Sequence, residues 1–201
     1  MTRFLFTLLW LFITQVAAAQ PADRVADAVA EIRRLYNEVS EKLARDTLQT
    51  PEFYRADITM GANDKLWTAI GAYQRRVQFY FEITEETRTE RLVKAHEKVS
   101  FGKRTYAAEY LFNPKGDLVF YAIAPADRAA TDSLVGDPLE YVSQPQINAS
   151  CHYAKAKLIQ FVKGSETKQQ GFLAREKELA QDGQARAKLL KTIFAALVKL
   201  N

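Results

Sequence analysis

The chain predicts an α+β domain: an antiparallel β-sheet of about five to seven strands, with an N-terminal and a C-terminal α-helix packed on one face. Three observations carry this expectation. Apolar residues recur at spacings of three and four from Val25 to Leu43 and again towards Leu200. Between those segments, from Phe53 to Val162, the apolar period drops to two, the period of side chains on a pleated strand. Clusters of turn formers, Asn113-Pro114-Lys115-Gly116 foremost, divide the alternating runs as consecutive antiparallel strands require.

The leading segment comes first. Thr2 and Arg3 precede an apolar run from Phe4 to Ile13, and Ala17-Ala18-Ala19 offers the small side chains that a signal peptidase accepts before Gln20. Residues 1–19 read as a signal peptide cleaved near Ala19-Gln20, with 20–201 a single domain exported to the periplasm or beyond. The apolar run is too short for a hydrocarbon core about 30 Å thick, which takes roughly 20 residues, so no transmembrane segment is expected after cleavage. The whole chain has 28 Lys and Arg against 24 Asp and Glu, and loss of Arg3 leaves 27. That slight excess is no signature of a nucleic-acid binder, whose cations gather in a stripe. One cysteine cannot close an internal disulfide, and one Cys with two His falls short of a structural zinc site; no metal or other cofactor is expected.

Helix 22–45 carries Val25, Val29, Ile32, Tyr36, Val39 and Leu43 along one stripe, and packing on a sheet is its expected use. The sheet spans 53–162. Its clearest strand has Val77, Phe79, Phe81 and Ile83 alternating with Arg76, Gln78, Tyr80 and Glu82. Next, 91–100 sets Val93, Ala95 and Val99 against Lys94, His96 and Lys98, followed by Tyr106 to Phe112 and Leu118 to Ile123. Residues 66–73 and 53–60 are weaker strand candidates. The breaker-rich stretch 125–145 is a long loop. A second hairpin joins 148–153 to 158–162, and Cys151 within it is expected to be buried, as free cysteines usually are. Helix 166–200 ends the chain, with Gly183 a candidate dividing point and Leu190, Ile193 and Leu197 on its apolar face. Either helical stripe could instead join a second copy, through Val39 or Leu190.

Two segments look like copies of one hairpin. Residues 108–120 run as an aromatic strand, a turn and an apolar strand, and 149–161 repeat that order with one residue fewer in the turn. Each sets an aromatic opposite a leucine, Phe112 with Leu118 and Tyr153 with Leu158. Glu109-Tyr110-Leu111-Phe112 with Gly116-Asp117-Leu118-Val119-Phe120, and Tyr153 with Lys157-Leu158-Ile159, resemble a family of small exported bacterial proteins of no established function. That family carries E-Y-Y-F-x-N-G-x-L-x-F and R-Y-Y-F-x-N-G-K-L-I hairpins. The second copy departs from the pattern, with His152 at an aromatic position and Ala156 in place of the turn glycine. The resemblance implies an antiparallel sheet and an extracytoplasmic location, and it brings no catalytic residues.

Sites for chemistry are few. His96 and His152 are the candidate bases, and neither neighbours a Gly-flanked nucleophile. Cys151 and His152, adjacent on a strand, point to opposite faces and cannot pair. Glu85, Glu86 and Glu90 flank threonines at an expected hairpin end, and no P-loop, G-x-G-x-x-G or H-E-x-x-H occurs. What remains is a sheet face. With Val77, Phe79 and Phe81 turned to the core, Arg76, Gln78, Tyr80, Lys94, His96 and Lys98 share the other side; Arg76, Tyr80, Lys94, His96 and Lys98 make it an exposed mixture of cations and a tyrosine suited to an anionic or carbohydrate ligand. The expected function is a non-enzymatic exported binding module, its partner such a ligand or an envelope protein. The alternative is an envelope hydrolase using carboxylates of the loop or of the 85–90 hairpin.

Overall fold

The computed structural model describes residues 21–45, 52–61, 73–84, 88–101, 104–125 and 148–199. Helix α1 (Pro21–Arg45) is followed by strands β1 (Tyr54–Gly61), β2 (Tyr73–Thr84), β3 (Thr89–Phe101), β4 (Arg104–Phe112) and β5 (Leu118–Pro125). Strands β6 (Ala149–Ala154), β7 (Lys157–Lys163) and β8 (Glu166–Lys168) then lead into helix α2 (Ala174–Val198). The strands form one antiparallel sheet in sequence order, each paired with its chain neighbours. The α+β class and the flanking helices stand as the sequence predicts, but eight described strands exceed the five to seven anticipated. The extra strand at the end, β8, is three polar residues taken from the start of the predicted 166–200 helix. The expected signal peptide 1–19, most of the expected loop 125–145, nearly all of the 66–73 strand candidate and Glu85 and Glu86 lie outside the described residues.

The helices do not share a face. In β4, Tyr110 packs in a core with Ala187, Leu190 and Phe194 of α2, whereas its neighbour Leu111 packs with Ile32 and Val39 of α1. Adjacent strand residues point oppositely, so α1 and α2 cover opposite sides of the sheet. This corrects the single-face expectation, and its cause is visible in β5. The run Leu118-Val119-Phe120-Tyr121-Ala122-Ile123 does not alternate, as suits a strand covered on both sides. The stripes of both helices are spent on the sheet, with Val39 and Leu190 buried there, so neither residue is offered to a second copy.

The duplicated hairpins pair as read: Phe112 is opposite Leu118 and Tyr153 opposite Leu158. Each pair sits beside a β-bulge that leaves one residue, Val119 or Ile159, without a partner. The hairpin of β2 and β3 is a third copy, with Phe81 opposite Leu92 and Val93 left over. A bulge inserts one residue and so changes which face the following side chains take. Val93, Val119 and Ile159 accordingly turn to α1, while the aromatic and leucine paired beside each bulge face α2. Val93 therefore does not share a face with Ala95 and Val99, as simple alternation had it.

The turns differ in chemistry. Asn113 Oδ1 accepts from the N–H groups of Lys115 and Asp117 at 3.0 and 2.9 Å, and Gly116 takes φ 77°. In the β6–β7 turn, Lys155 and Ala156 hold φ of 50° and 59°, a left-handed pair in which side chains are strained. Helix α2 clasps both turns. Gln184 Nε2 donates to the Ala156 carbonyl at 2.8 Å and Lys191 Nζ to the Gly116 carbonyl at 2.6 Å. Seven helical residues advance about 10.5 Å, and two strand steps advance about 9.6 Å, so this spacing matches the hairpin repeat. Gly183 does not divide α2. It lies where a Cβ would stand 2.3 Å from the Tyr121 ring, so a bare backbone lets the helix seat there. Cys151 is fully buried on the α2 side, and burial raises its thiol pKa to about 11.

Candidate functional site

Strand register builds the α1-side face row by row. One row sets Gln78 opposite His96 and His96 opposite Glu109; the next sets Tyr80 opposite Lys94 and Lys94 opposite Leu111; a third sets Arg76 opposite Lys98. The five residues singled out in the sequence, Arg76, Tyr80, Lys94, His96 and Lys98, thus come together on two adjacent strands. Their exposure differs from expectation. Lys94 is only 4% exposed, and the other four are half-buried, because α1 lays Tyr36 against this region.

Glu109, a residue the sequence reading passed over, is the centre of the group. It is buried, and Tyr36 donates its hydroxyl to Oε2 at 3.1 Å. Lys94 Nζ stands 3.5 Å from Oε2, and His96 Nε2 stands 3.6 Å from Oε1. Lys94 also lies over the Tyr36 ring, 4.8 Å from its centroid. Tyr80 meets the His96 imidazole edge-on with centroids 5.4 Å apart. Beside them, the buried atoms Gln78 Oε1 and His96 Nε2 carry no hydrogen bond. Leaving a buried polar atom unpaired costs roughly 1–3 kcal/mol, a cost borne elsewhere in the sheet too, at His152 Nδ1, Gln160 Oε1 and Glu97 Oε1.

The electrostatics follow from burial. Desolvation lowers the Lys94 pKa, opposed by the neighbouring Glu109 carboxylate. His96 falls to about 4 through burial and the Lys94 charge, so its imidazole is neutral at pH 7. Burial with Glu109 beside it pushes the Tyr36 hydroxyl well above its ordinary range. Lys98 is lowered by burial and by the Arg76 charge. Arg76 in turn pairs with Asp57 at 3.6 Å. The cluster therefore has a buried inner part, Gln78, Lys94 and Glu109, and a half-buried outer part, Arg76, Tyr80, His96 and Lys98.

Other candidates are not brought together. His152 faces the α1 side, edge-on to Phe120 at 5.2 Å, while Cys151 faces α2, so the two do not pair. Glu90 is exposed and Glu82 is bonded to Arg91. The two buried glutamates of the sheet interior, Glu97 and Glu109, lie on opposite faces. A cleft of about 430 Å³ runs between α1 and the hairpin ends, with Ile32, Leu35, Val39, Phe53, Val93 and Val119 in its wall. Four cations also line that cleft: Lys42 pairs with Glu38 and Arg91 with Glu82, and Arg34 and Lys155 complete the set. Among the described residues, no group of three or more His, Cys, Asp or Glu is placed to hold a metal ion, and no helix is long and apolar enough to cross a membrane.

No family model matches the chain, and neither a curated protein nor a solved structure is significantly similar to it. The functional reading rests on the residues that the strand register gathers on the α1 side.

Proposed function

We propose that this protein is an exported binding module of the cell envelope or extracellular space. It holds an anionic or carbohydrate ligand at the cluster of Arg76, Tyr80, Lys94, His96 and Lys98 on the α1 side of the sheet. The observation that supports this most is the strand register, which gathers three cations or imidazoles, Arg76, His96 and Lys98, with Tyr80 half-buried at the surface above Lys94 and Glu109. The leader-like segment 1–19 and the resemblance of the hairpins to exported proteins support the location. No described arrangement of a nucleophile, base and orienting acid accompanies the cluster, which favours binding over turnover.

The test is retention of envelope material by the immobilised protein. Variants of the outer part are the useful ones: Tyr80→Ala and Lys98→Glu should keep the fold and lose the retained component. Lys94→Glu is unsuitable, because it would set two carboxylates together beneath α1 and act on folding. Unchanged retention by both outer variants would remove the cluster from the function.

A further inference from the structure

We propose that the cleft between α1 and the hairpin ends is a second binding site, and that it takes a single-chain amphiphile with an anionic head group, an alkyl carboxylate. None of Arg76, Tyr80, Lys94, His96 and Lys98 lines it, so the proposal stands apart from whatever that cluster holds. The space is about 430 Å³, within the roughly 300–1,000 Å³ that small-molecule sites occupy.

Its wall is apolar for a reason built into the strands. The bulges of the β2–β3 and β4–β5 hairpins turn Val93 and Val119 towards α1, where they face Ile32, Leu35 and Val39 of the helix, with Phe53 alongside. Among the described residues, every buried side-chain nitrogen or oxygen without a hydrogen bond belongs to a residue outside this lining. A wall with no buried polar atom left to satisfy suits a hydrocarbon chain better than a sugar or a hydrated ion.

Charge selects the head group. Four carboxylates line the cleft beside its four cations. Glu38 and Glu82 are matched by Lys42 and Arg91, and Asp117 accepts from Asn113 Nδ2 at 3.3 Å within its own turn. Among the described residues, Arg34 on α1 and Lys155 in the β6–β7 turn have no carboxylate partner, which leaves two exposed cations against Glu31. Lys155 keeps its place at a left-handed φ of 50°, whereas the β4–β5 turn uses Gly116 for its positive φ. Backbone strain of that kind collects where a turn presents a side chain to a ligand.

Calorimetric titration of the purified protein with octanoate, decanoate and dodecanoate, each below its micelle concentration, tests this. The alcohol 1-octanol and octyltrimethylammonium serve as neutral and cationic counterparts. Affinity should rise by up to about fourfold per added methylene, and the carboxylate should bind more tightly than the alcohol, with the cation weakest. Arg34→Gln with Lys155→Gln, both at exposed positions, should weaken octanoate roughly tenfold and leave 1-octanol unchanged. Leu35→Trp, which lays an indole across the cleft, should abolish binding of every chain; if it fails to fold, the exposed pair still decides. Absence of binding by all three carboxylates would overturn the proposal, as would octanoate binding that neither change diminishes. Equal affinity for octanoate and octyltrimethylammonium would overturn the anionic head group. Carboxylate binding lost in Tyr80→Ala and Lys98→Glu would place the ligand at the other cluster and overturn the cleft as its site.

Discussion

Glu97 and Glu109 are two buried carboxylates placed almost back to back, one on each side of the same sheet. Glu97, on the α2 side, accepts the Tyr110 hydroxyl at 2.9 Å and is held by Arg75 at 2.5 Å, with Arg186 of α2 at 3.5 Å. Glu109, on the α1 side, has Tyr36 at 3.1 Å, Lys94 at 3.5 Å and His96 at 3.6 Å. Both join a helix to the sheet through a tyrosine or a cation. The first uses guanidinium groups, which stay charged at any pH a protein survives and hold a carboxylate with a planar fork. The second uses groups whose charge is adjustable, at looser distances. The first is a closed set of fixed charges, and the second is a weaker one that titration can loosen.

The largest effect should come from breaking the closed set. Glu97→Ala leaves Arg75 and Arg186 without their buried counter-charge and should cost about 3–5 kcal/mol in urea unfolding, more than Glu109→Ala. Equal losses would erase the distinction between the sites.

Acidification should separate the two sides next. His96 and His152, both on the α1 side, have pKa values lowered to about 4, first by burial and then by Lys94 and Arg33 respectively. The unfolded chain protonates them near the ordinary 6.5, so it binds more protons than the native state between those limits. Stability is therefore fully present above pH 6.5 and falls as pH drops towards 4, by up to about 1.4 kcal/mol per pH unit for each histidine. Urea midpoints at pH 7 and 5 check this, and replacing both with Asn or Gln should flatten the dependence.

A smaller effect probes how tightly α2 is seated. Gly183→Ala adds a methyl that meets the Tyr121 ring, so despite its better helix propensity it should cost about 2 kcal/mol by thermal unfolding. A gain in stability would mean the contact is slack. The smallest concerns the turns that α2 clasps. Ala156→Gly relieves a left-handed alanine and should stabilise by about 0.5–1 kcal/mol, whereas Gly116→Ala should destabilise.

Much of this was legible in the residues and some was not, for identifiable reasons. The stripe from Val25 to Leu43 and the alternation around Val77 to Ile83 gave α1 and β2, because each element buries one face with the period of its backbone. The pairing of Phe112 with Leu118 was readable from a short turn. Its third copy, Phe81 with Leu92, was hidden by the longer hairpin end between them. Strand β8 has three polar residues and no alternation to detect. The cluster was half legible. Alternation placed Arg76, Tyr80, Lys94, His96 and Lys98 on one face, but nothing local says that a helix remote in sequence will cover Lys94. Gln78 was placed on that face too, but as an exposed residue, whereas it is buried. Glu109 carried a signal that went unused: it is a polar residue flanked by apolar ones in a strand, and burial then demands a partner.

The lone thiol of Cys151 gives the molecule a built-in clock. It lies beneath α2, protonated and out of reach of reagents, and cannot exchange with another sulfhydryl while the helix is docked. Its alkylation rate therefore reports how often that helix lifts. Compared with the rate of complete unfolding, it tells whether α2 departs alone or only with the rest of the protein.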